Sequence, residues 1–408
     1  MNSPASKLQS ASPAARHRRR IATVVFFGLV LLILLLLARP VATHLRAVAL
    51  LLRIENPQDW GTLARFGTYP IEEKLIEVPT PAGPVRARLY IPQGIANAPA
   101  MVIVHGVHHL GIDEPRLVAF ARAMSAGGIR VLTPELSALA DYRIDSSSID
   151  LIGYSARSLS TDTGQKVGLL GISFGGGLSL IAAARPQYAP YIGFVVSVGA
   201  HDDLERVSQF LITNTITRPD GTTLAMQAHE YGPLILIYSH LDEFFPPADI
   251  GAAHEALQLL LWEKVDESKK AAEQLSPPSR EKFKLLYNHD VDALAGEMKQ
   301  SIVRHQAEMA PASPHGQLGS LRAPVLLLHG AADNVIPPSE MLWLQHDIPS
   351  GLVKDALITP ALSHASIDGK PSLADNLRLV HFMAKLLELS DLEFSNKTTA
   401  FPPKSSAQ

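Results

Sequence analysis

Lys166-Val167-Gly168-Leu169-Leu170-Gly171-Ile172-Ser173-Phe174-Gly175-Gly176-Gly177 is the stretch that decides the fold of this chain. An apolar run from Val167 to Ile172 enters Gly171-Ile172-Ser173-Phe174-Gly175, and the helix-compatible Leu178-Ser179-Leu180-Ile181-Ala182-Ala183-Ala184 follows at once. The pattern predicts strand, sharp turn, helix, with a serine at the apex. Glycines flank the serine because so tight a turn leaves no room for neighbouring Cβ atoms. A G-x-S-x-G alone is weak evidence; with a strand before it and a helix behind it, the serine hydroxyl is expected to stand clear of its own backbone as a nucleophile elbow.

Working outward, Lys74 to Pro79 and Val85 to Ile91 alternate like antiparallel strands joined by a Pro/Gly turn. Ala100 to Val104 is continuously apolar, as a strand buried on both faces should be, and it ends in His105-Gly106-Val107-His108-His109. A helix over Glu114 to Ala126, a strand over Ile129 to Thr133 and a helix over Ile149 to Ser158 lead to the elbow strand, and Ile192 to Val198 is the next strand. Strands and helices alternating at this rhythm predict an α/β fold with a doubly wound, mostly parallel sheet.

The bulk composition narrows the possibilities. The 408 residues suffice for one large domain with an insertion, or for two domains. A net charge of −3 gives no reason to expect nucleic acid as a partner. With no cysteine, the chain has no disulfide, no thiolate zinc site and no cysteine nucleophile.

Residues 1–20 are expected to form a disordered basic N-terminus. Arg18, Arg19 and Arg20 then abut Ile21 to Ala38, an uncharged run of 18 residues read as a transmembrane helix. A cleaved signal peptide is the competing reading, but the Leu-rich run exceeds the usual apolar region and Arg39-Pro40 is a poor approach to a cleavage site. Lys7, Arg16 and the arginine triplet outnumber Arg39, Arg46 and Arg53, so the expected orientation is single-pass, with a cytoplasmic N-terminus and an extracytoplasmic body. Residues 39–69 are expected to be a linker or interfacial segment, with His44 to Ile54 either resting on the bilayer or continuing the anchor. The body is expected over 70–200 and 322–390, and a disordered tail over 391–408.

Residues 201–321 are too long for a loop. Leu234, Ile237, Tyr238, Leu241, Phe244 and Phe245 recur at helical spacing, Ala253 to Glu263 repeats the pattern, and Pro277-Pro278 breaks a charged stretch. A helical cap inserted after the sixth strand is expected, with Leu234, Ile235, Tyr238, Phe244 and Phe245 offering apolar surface over the mouth of the site. The alternative makes Pro233 to Tyr238 a strand.

The strand ending in His105-Gly106, the elbow, and Leu327-Leu328-His329-Gly330-Ala331-Ala332-Asp333-Asn334-Val335-Ile336-Pro337 together resemble the α/β-hydrolase superfamily, over roughly Lys74 to Gly199 and Ala323 to Leu389. The nearest part of it is the dienelactone-hydrolase and acetyl-esterase neighbourhood, although true dienelactone hydrolases use a cysteine nucleophile. The resemblance implies a triad in the chain order serine, acid, histidine: Ser173, Asp333 and His364. A serine hydroxyl needs a base to take its proton, and that base needs an acceptor to fix its tautomer. Asp242, Asp202 and Asp203 are the alternative acids, while His346 and His381 fall in helical patterns. The resemblance also implies an oxyanion hole from the backbone N–H groups of Phe174 and Val107. His105, His108 and His109, with His201 or Asp113, offer a metal reading that is set aside because adjacent histidines rarely point at one ion. No metal and no organic cofactor is expected.

The function expected from the sequence is a membrane-anchored serine hydrolase cleaving a carboxylic ester, small or lipid-like, through an acyl-enzyme on Ser173. A serine peptidase or acyltransferase with the same triad, or a silent hydrolase-fold binding protein, are the alternatives.

Overall fold

A computed structural model describes residues 13–288, 290–362 and 371–395. The chain opens with helix α1 (Pro13–Glu55), then alternates through β1 (Ile71–Val78), β2 (Val85–Pro92), β3 (Ala100–Val104), α2 (Pro115–Ala126), β4 (Arg130–Pro134), α3 (Ser137–Ala140), α4 (Ser147–Thr163), β5 (Val167–Ile172), α5 (Phe174–Ala184) and β6 (Ile192–Val198). A mainly helical insertion follows: α6 (Leu204–Thr213), the ribbon β7 (Thr215–Thr217) and β8 (Thr223–Ala225), α7 (Gly232–Ser239), α8 (Leu241–Phe244), α9 (Ile250–Leu261), α10 (Val265–Ala272), α11 (Pro277–Tyr287) and α12 (Ala295–Met309). The sheet resumes with β9 (Val325–Gly330), α13 (Ser339–Asp347), β10 (Val353–Thr359) and α14 (Leu373–Ser395).

The main sheet runs β1-β2-β4-β3-β5-β6-β9-β10. Strand β2 is antiparallel to both β1 and β4, and the pairings from β4 through β10 are parallel. This order, with a sharp serine turn after the fifth strand, is the α/β-hydrolase fold. The near-continuous apolar strands have the physical reason expected of them. In β9, Val325 and Leu327 enter one core while Leu326 and Leu328 enter the other, on the opposite face of the sheet. One core holds α4 and α5, and the other holds α2, α14 and the C-terminal part of α1.

Within 39–69, α1 runs unbroken to Glu55, so His44 to Ile54 continues the preceding helix, and Ala47, Leu50 and Arg53 are buried. The Arg53 guanidinium donates to the carbonyls of Ala64 and Phe66, both at 2.7 Å, and burial lowers it to about 10. Arg46 pairs with Asp391 on α14 at 2.9 Å. This end of α1 is therefore part of the layer that covers the sheet. A transmembrane helix is expected over 21–38 from the sequence; among the described residues no helix is long and apolar enough to cross a membrane. The helix passes through that segment, but several of its side chains lie outside the described set; of those that are described, Val25, Phe26, Phe27, Leu32 and Leu36 are more than half exposed.

Pro233 to Tyr238 lies in helix α7, not in a strand. Leu234, Tyr238, Phe244 and Phe245 do not face the mouth of a site. They are 5% exposed or less and form the insertion's own core with Leu257, Phe283 and Met298. Helical spacing shows that a helix buries one face; it does not show against what.

Candidate active site

Strand β5 lies mid-sheet between β3 and β6, and its C-terminal end is where the chain turns hardest. A Cβ on Gly171 would lie 2.4 Å from the Gly175 carbonyl oxygen, and one on Gly175 would lie 2.5 Å from that of His105, so both positions require glycine. Between them Ser173 adopts φ 55° and ψ −134°, a conformation rare for a residue with a side chain. Two bonds hold it there: the Ser173 N–H donates to Val198 O at 2.7 Å and the Gly176 N–H to Ser173 O at 2.9 Å. Helix α5 starts at the next residue, so the Phe174 N–H is one of the amides with no acceptor inside the helix, at its positive end.

The loop after β3 passes directly over this turn. A Cβ on Gly106 would sit 3.0 Å from Ser173 Cβ and 3.6 Å from its Oγ, which places Val107, one residue on, beside the strand end that carries Ser173. His105 fixes the loop. Its Nδ1 lies 2.7 Å from Gly106 O and its Nε2 3.0 Å from the Leu136 N. A carbonyl can only accept and an amide can only donate, so the proton is on Nδ1. Burial holds the ring neutral, lowering it to about 4.

Asp333 follows β9 and is 1% exposed. Its Oδ1 accepts from the Val335 and Ile336 N–H groups, both at 3.0 Å. Its Oδ2 points to the next strand end, 3.3 Å from where a Cβ on Gly199 would be, and lies 3.5 Å from His329 Nε2. The strand register aligns these groups: Ile172 pairs Val198, and Val198 pairs Leu328. Ser173, Gly199 and the Asp333 turn thus emerge from the carboxyl ends of β5, β6 and β9, where ligands bind open α/β sheets. His364 lies outside the described residues. Strand β10, which leads toward it, pairs Thr359 with Gly330, at the root of the Asp333 turn.

The alternative acids and bases lie elsewhere. Asp242 is exposed on α8. Asp203 caps α6, accepting from the Arg206 N–H at 3.1 Å, and Asp202 is buried against the Arg206 guanidinium. His346 pairs with Asp347 on α13, while His381 on α14 stacks on His44. The groups weighed as metal ligands make other contacts. His108 stacks on His109, which stacks on Trp262. His201 Nε2 donates to Ala312 O at 2.9 Å, and Asp113 pairs with Arg86 and Arg88.

Sequence reasoning named Val107 only as an oxyanion donor and passed over Tyr231, yet both stand where body and insertion meet. Val107 and Tyr231 each pack against both the sheet core and the core of the insertion. The Tyr231 phenol is raised above its ordinary range, first by burial and then by Tyr142 and Asp333, which puts it within electrostatic reach of Asp333. The His229 N–H donates to Asn334 O at 2.8 Å, tying that loop beside Asp333. Tyr142, at φ 56°, donates its hydroxyl to Leu261 O at 2.8 Å. One signal was available: Leu328-His329-Gly330 repeats Val104-His105-Gly106, and both histidines prove to be buried strand-end struts.

No protein-family model and no curated protein matches the sequence. Among solved structures, acylaminoacyl peptidase from Pyrococcus horikoshii is similar at 13% identity and TM-score 0.47, covering 85% of this chain and 45% of its own. An esterase from Pyrobaculum calidifontis is similar at 14% identity and TM-score 0.44, covering 87% of this chain and 92% of its own. A putative lipase from Acinetobacter baumannii shows 13% identity and TM-score 0.44, covering 79% and 93%. The chain therefore spans less than half the length of the peptidase. Likeness at this level says nothing of the reaction.

Proposed function

We propose that the chain is a serine hydrolase that cleaves carboxylic esters through an acyl-enzyme on Ser173. The observation that carries this reading is the geometry of Ser173: a buried serine held at positive φ, against the Gly106 loop, with a fixed carboxylate two strands away. His364 takes the hydroxyl proton as Oγ attacks the acyl carbon, with Asp333 orienting the imidazole through Oδ2. The tetrahedral oxyanion is received by the N–H groups of Phe174 and Val107. His364 then gives the proton to the leaving alcohol, and water repeats the sequence to free the acid. A peptidase or acyltransferase would use the same groups, and no observation favours either one over ester cleavage.

We further propose that α1 tethers this body to a membrane, in the orientation set by the basic N-terminus. The support is the uncharged run Ile21 to Ala38 together with a rigid continuation of the same helix into the body. Hydrolysis of p-nitrophenyl esters of graded acyl length tests the first part: turnover is expected, and Ser173→Ala should reduce it at least ~10³-fold. Full-length protein recovered without detergent in a soluble extract, residues 1–38 still attached, would sink the tether.

A further inference from the structure

Among the described residues, four other than glycine lie at positive φ: Tyr142, Ser173, Asn214 and Glu263. Ser173 is the elbow serine, and Asn214 ends α6 in a conformation that asparagine tolerates. Tyr142 and Glu263 differ, because both end helices at a position where glycine is usual. Tyr142 follows α3: its N–H donates to Leu139 O at 3.2 Å and that of Arg143 donates to Ala138 O at 2.8 Å. Glu263 repeats the turn after α9, donating to Leu260 O at 3.0 Å while Lys264 donates to Leu259 O at 2.9 Å. A bulky residue at a left-handed helix end is strained, and it persists only where the contacts around it over-determine the conformation.

Those contacts join the two turns to each other and to the loop after β3. Tyr142 is 4% exposed and reaches from the body into the core of the insertion. Its hydroxyl donates to Leu261 O at 2.8 Å, in the last turn of α9, and its ring meets that of Tyr238 edge-on with centroids 6.5 Å apart. The residue after Leu261 is Trp262, whose ring stacks on His109 at 5.1 Å. Burial pushes the Tyr142 phenol up to about 12, and the His109 N–H acts against that rise, so the same hydroxyl lies beside the His109 backbone. The end of α9 thus holds His109 by its ring and, through Tyr142, by its backbone. His109 stands two residues past Val107, whose own side chain packs into both cores.

We propose that Tyr142 is a positioning residue for ester cleavage: by bonding the end of α9 it holds the loop after β3 so that the Val107 N–H points at the forming oxyanion. The inference rests on the reading of Ser173 as nucleophile and Val107 as oxyanion donor. An oxyanion donor contributes only when it is aimed where charge develops, and the aim of a backbone N–H is set wholly by the loop that carries it. The strain at Tyr142 has a use in this arrangement. Glycine there would relax the turn but leave nothing to reach α9. The insertion thereby becomes part of the geometry of the reaction without touching the reacting atoms.

The test measures kcat and KM for p-nitrophenyl acetate, and the rate of phosphonylation by a fluorophosphonate, in the full-length chain and its variants, with circular dichroism to verify the fold. Tyr142→Phe keeps the ring and removes the hydroxyl. It is expected to lower kcat about 10-fold, a fraction of what losing an oxyanion donor costs, with KM within twofold. Phosphonylation should slow by a similar factor. Tyr238→Phe is the control: its hydroxyl also joins insertion to body, donating to Asp141 at 3.0 Å and meeting His254 Nε2 at 2.9 Å, but it makes no bond to the loop after β3. There kcat should stay within twofold. His109→Ala cuts the same tie at a half-buried side chain and should lower kcat in the same sense, and the double variant should lose little more than Tyr142→Phe alone. An unchanged kcat in Tyr142→Phe, or in His109→Ala should the first variant not fold, would overturn this inference alone. Equal losses in Tyr142→Phe and Tyr238→Phe would do the same, by making the hydroxyl merely structural. A wild type that neither hydrolyses the ester nor takes the phosphonyl group would overturn the reading of Ser173 and this inference together.

Discussion

At the residue scale, Ser173 and Asp333 could be placed from sequence because their positions rest on local rules. Glycines mark a turn that excludes Cβ atoms, and an aspartate just past a buried strand sits on a strand-end loop. The N–H groups of Val335 and Ile336 hold Asp333 through Oδ1, and its proposed role as the acid gives a sharp comparison. Asp333→Asn is expected to lower kcat by about 10³ to 10⁴, the scale of losing a triad acid. Asp242→Asn, a change on an exposed face, should leave it within twofold. The reverse outcome would move the acid into the insertion. His105 supports a second expectation. It titrates near 4 when folded and near 6.5 when unfolded, so the unfolded chain binds its proton first as pH falls. Stability is therefore lost from about pH 6.5 downward, by up to about 3 kcal/mol at pH 4. Buried His201, also lowered by burial, acts in the same direction. Urea unfolding at pH 7 and 4.5 should show a larger decline for wild type than for His105→Gln; equal declines would remove His105 from the account.

At the scale of elements, the strands and the elbow helix were legible and the roles of two helical regions were not. The C-terminal part of α1 looks in sequence like the tail of an apolar run. What it covers, α2 and α14, lies far along the chain, so no window of sequence could reveal Leu50 as core. The consequence for truncation is direct. A chain beginning at Val41 should fold, whereas one beginning at Asn56 exposes that core and abolishes both Arg53 bonds. A melting temperature lower by 5 °C or more, or insolubility, is expected for the shorter chain. Equal melting temperatures would contradict the packing described for α1. In the insertion, Phe244 and Phe245 are interior, so polar substitutions there should unfold it and not tune substrate choice. Trp262, stacked on His109 next to the loop after β3, is the better candidate for contact with substrate. Trp262→Ala should change kcat/KM for long acyl esters by roughly 10-fold relative to acetate. An unchanged ratio would place the acyl chain elsewhere.

At the scale of the molecule, the sheet order, the register and the two cores converge on one rim. Ser173, the Gly106 loop, Gly199 and Asp333 all stand at the carboxyl ends of adjacent strands, and the insertion closes over the same rim through Val107 and Tyr231. Local pattern supplied the strands. Their convergence with the insertion depends on the path of the insertion, which helical periodicity leaves open. The central claim is that the hydroxyl of Ser173 is the activated nucleophile. The most direct measurement is reaction of the full-length chain with a fluorophosphonate, followed by mass mapping of the adduct. One phosphonyl group on the peptide containing Ser173 is expected, absent from Ser173→Ala and much slowed in His364→Ala. An adduct on another residue, or none in folded protein, would contradict the account.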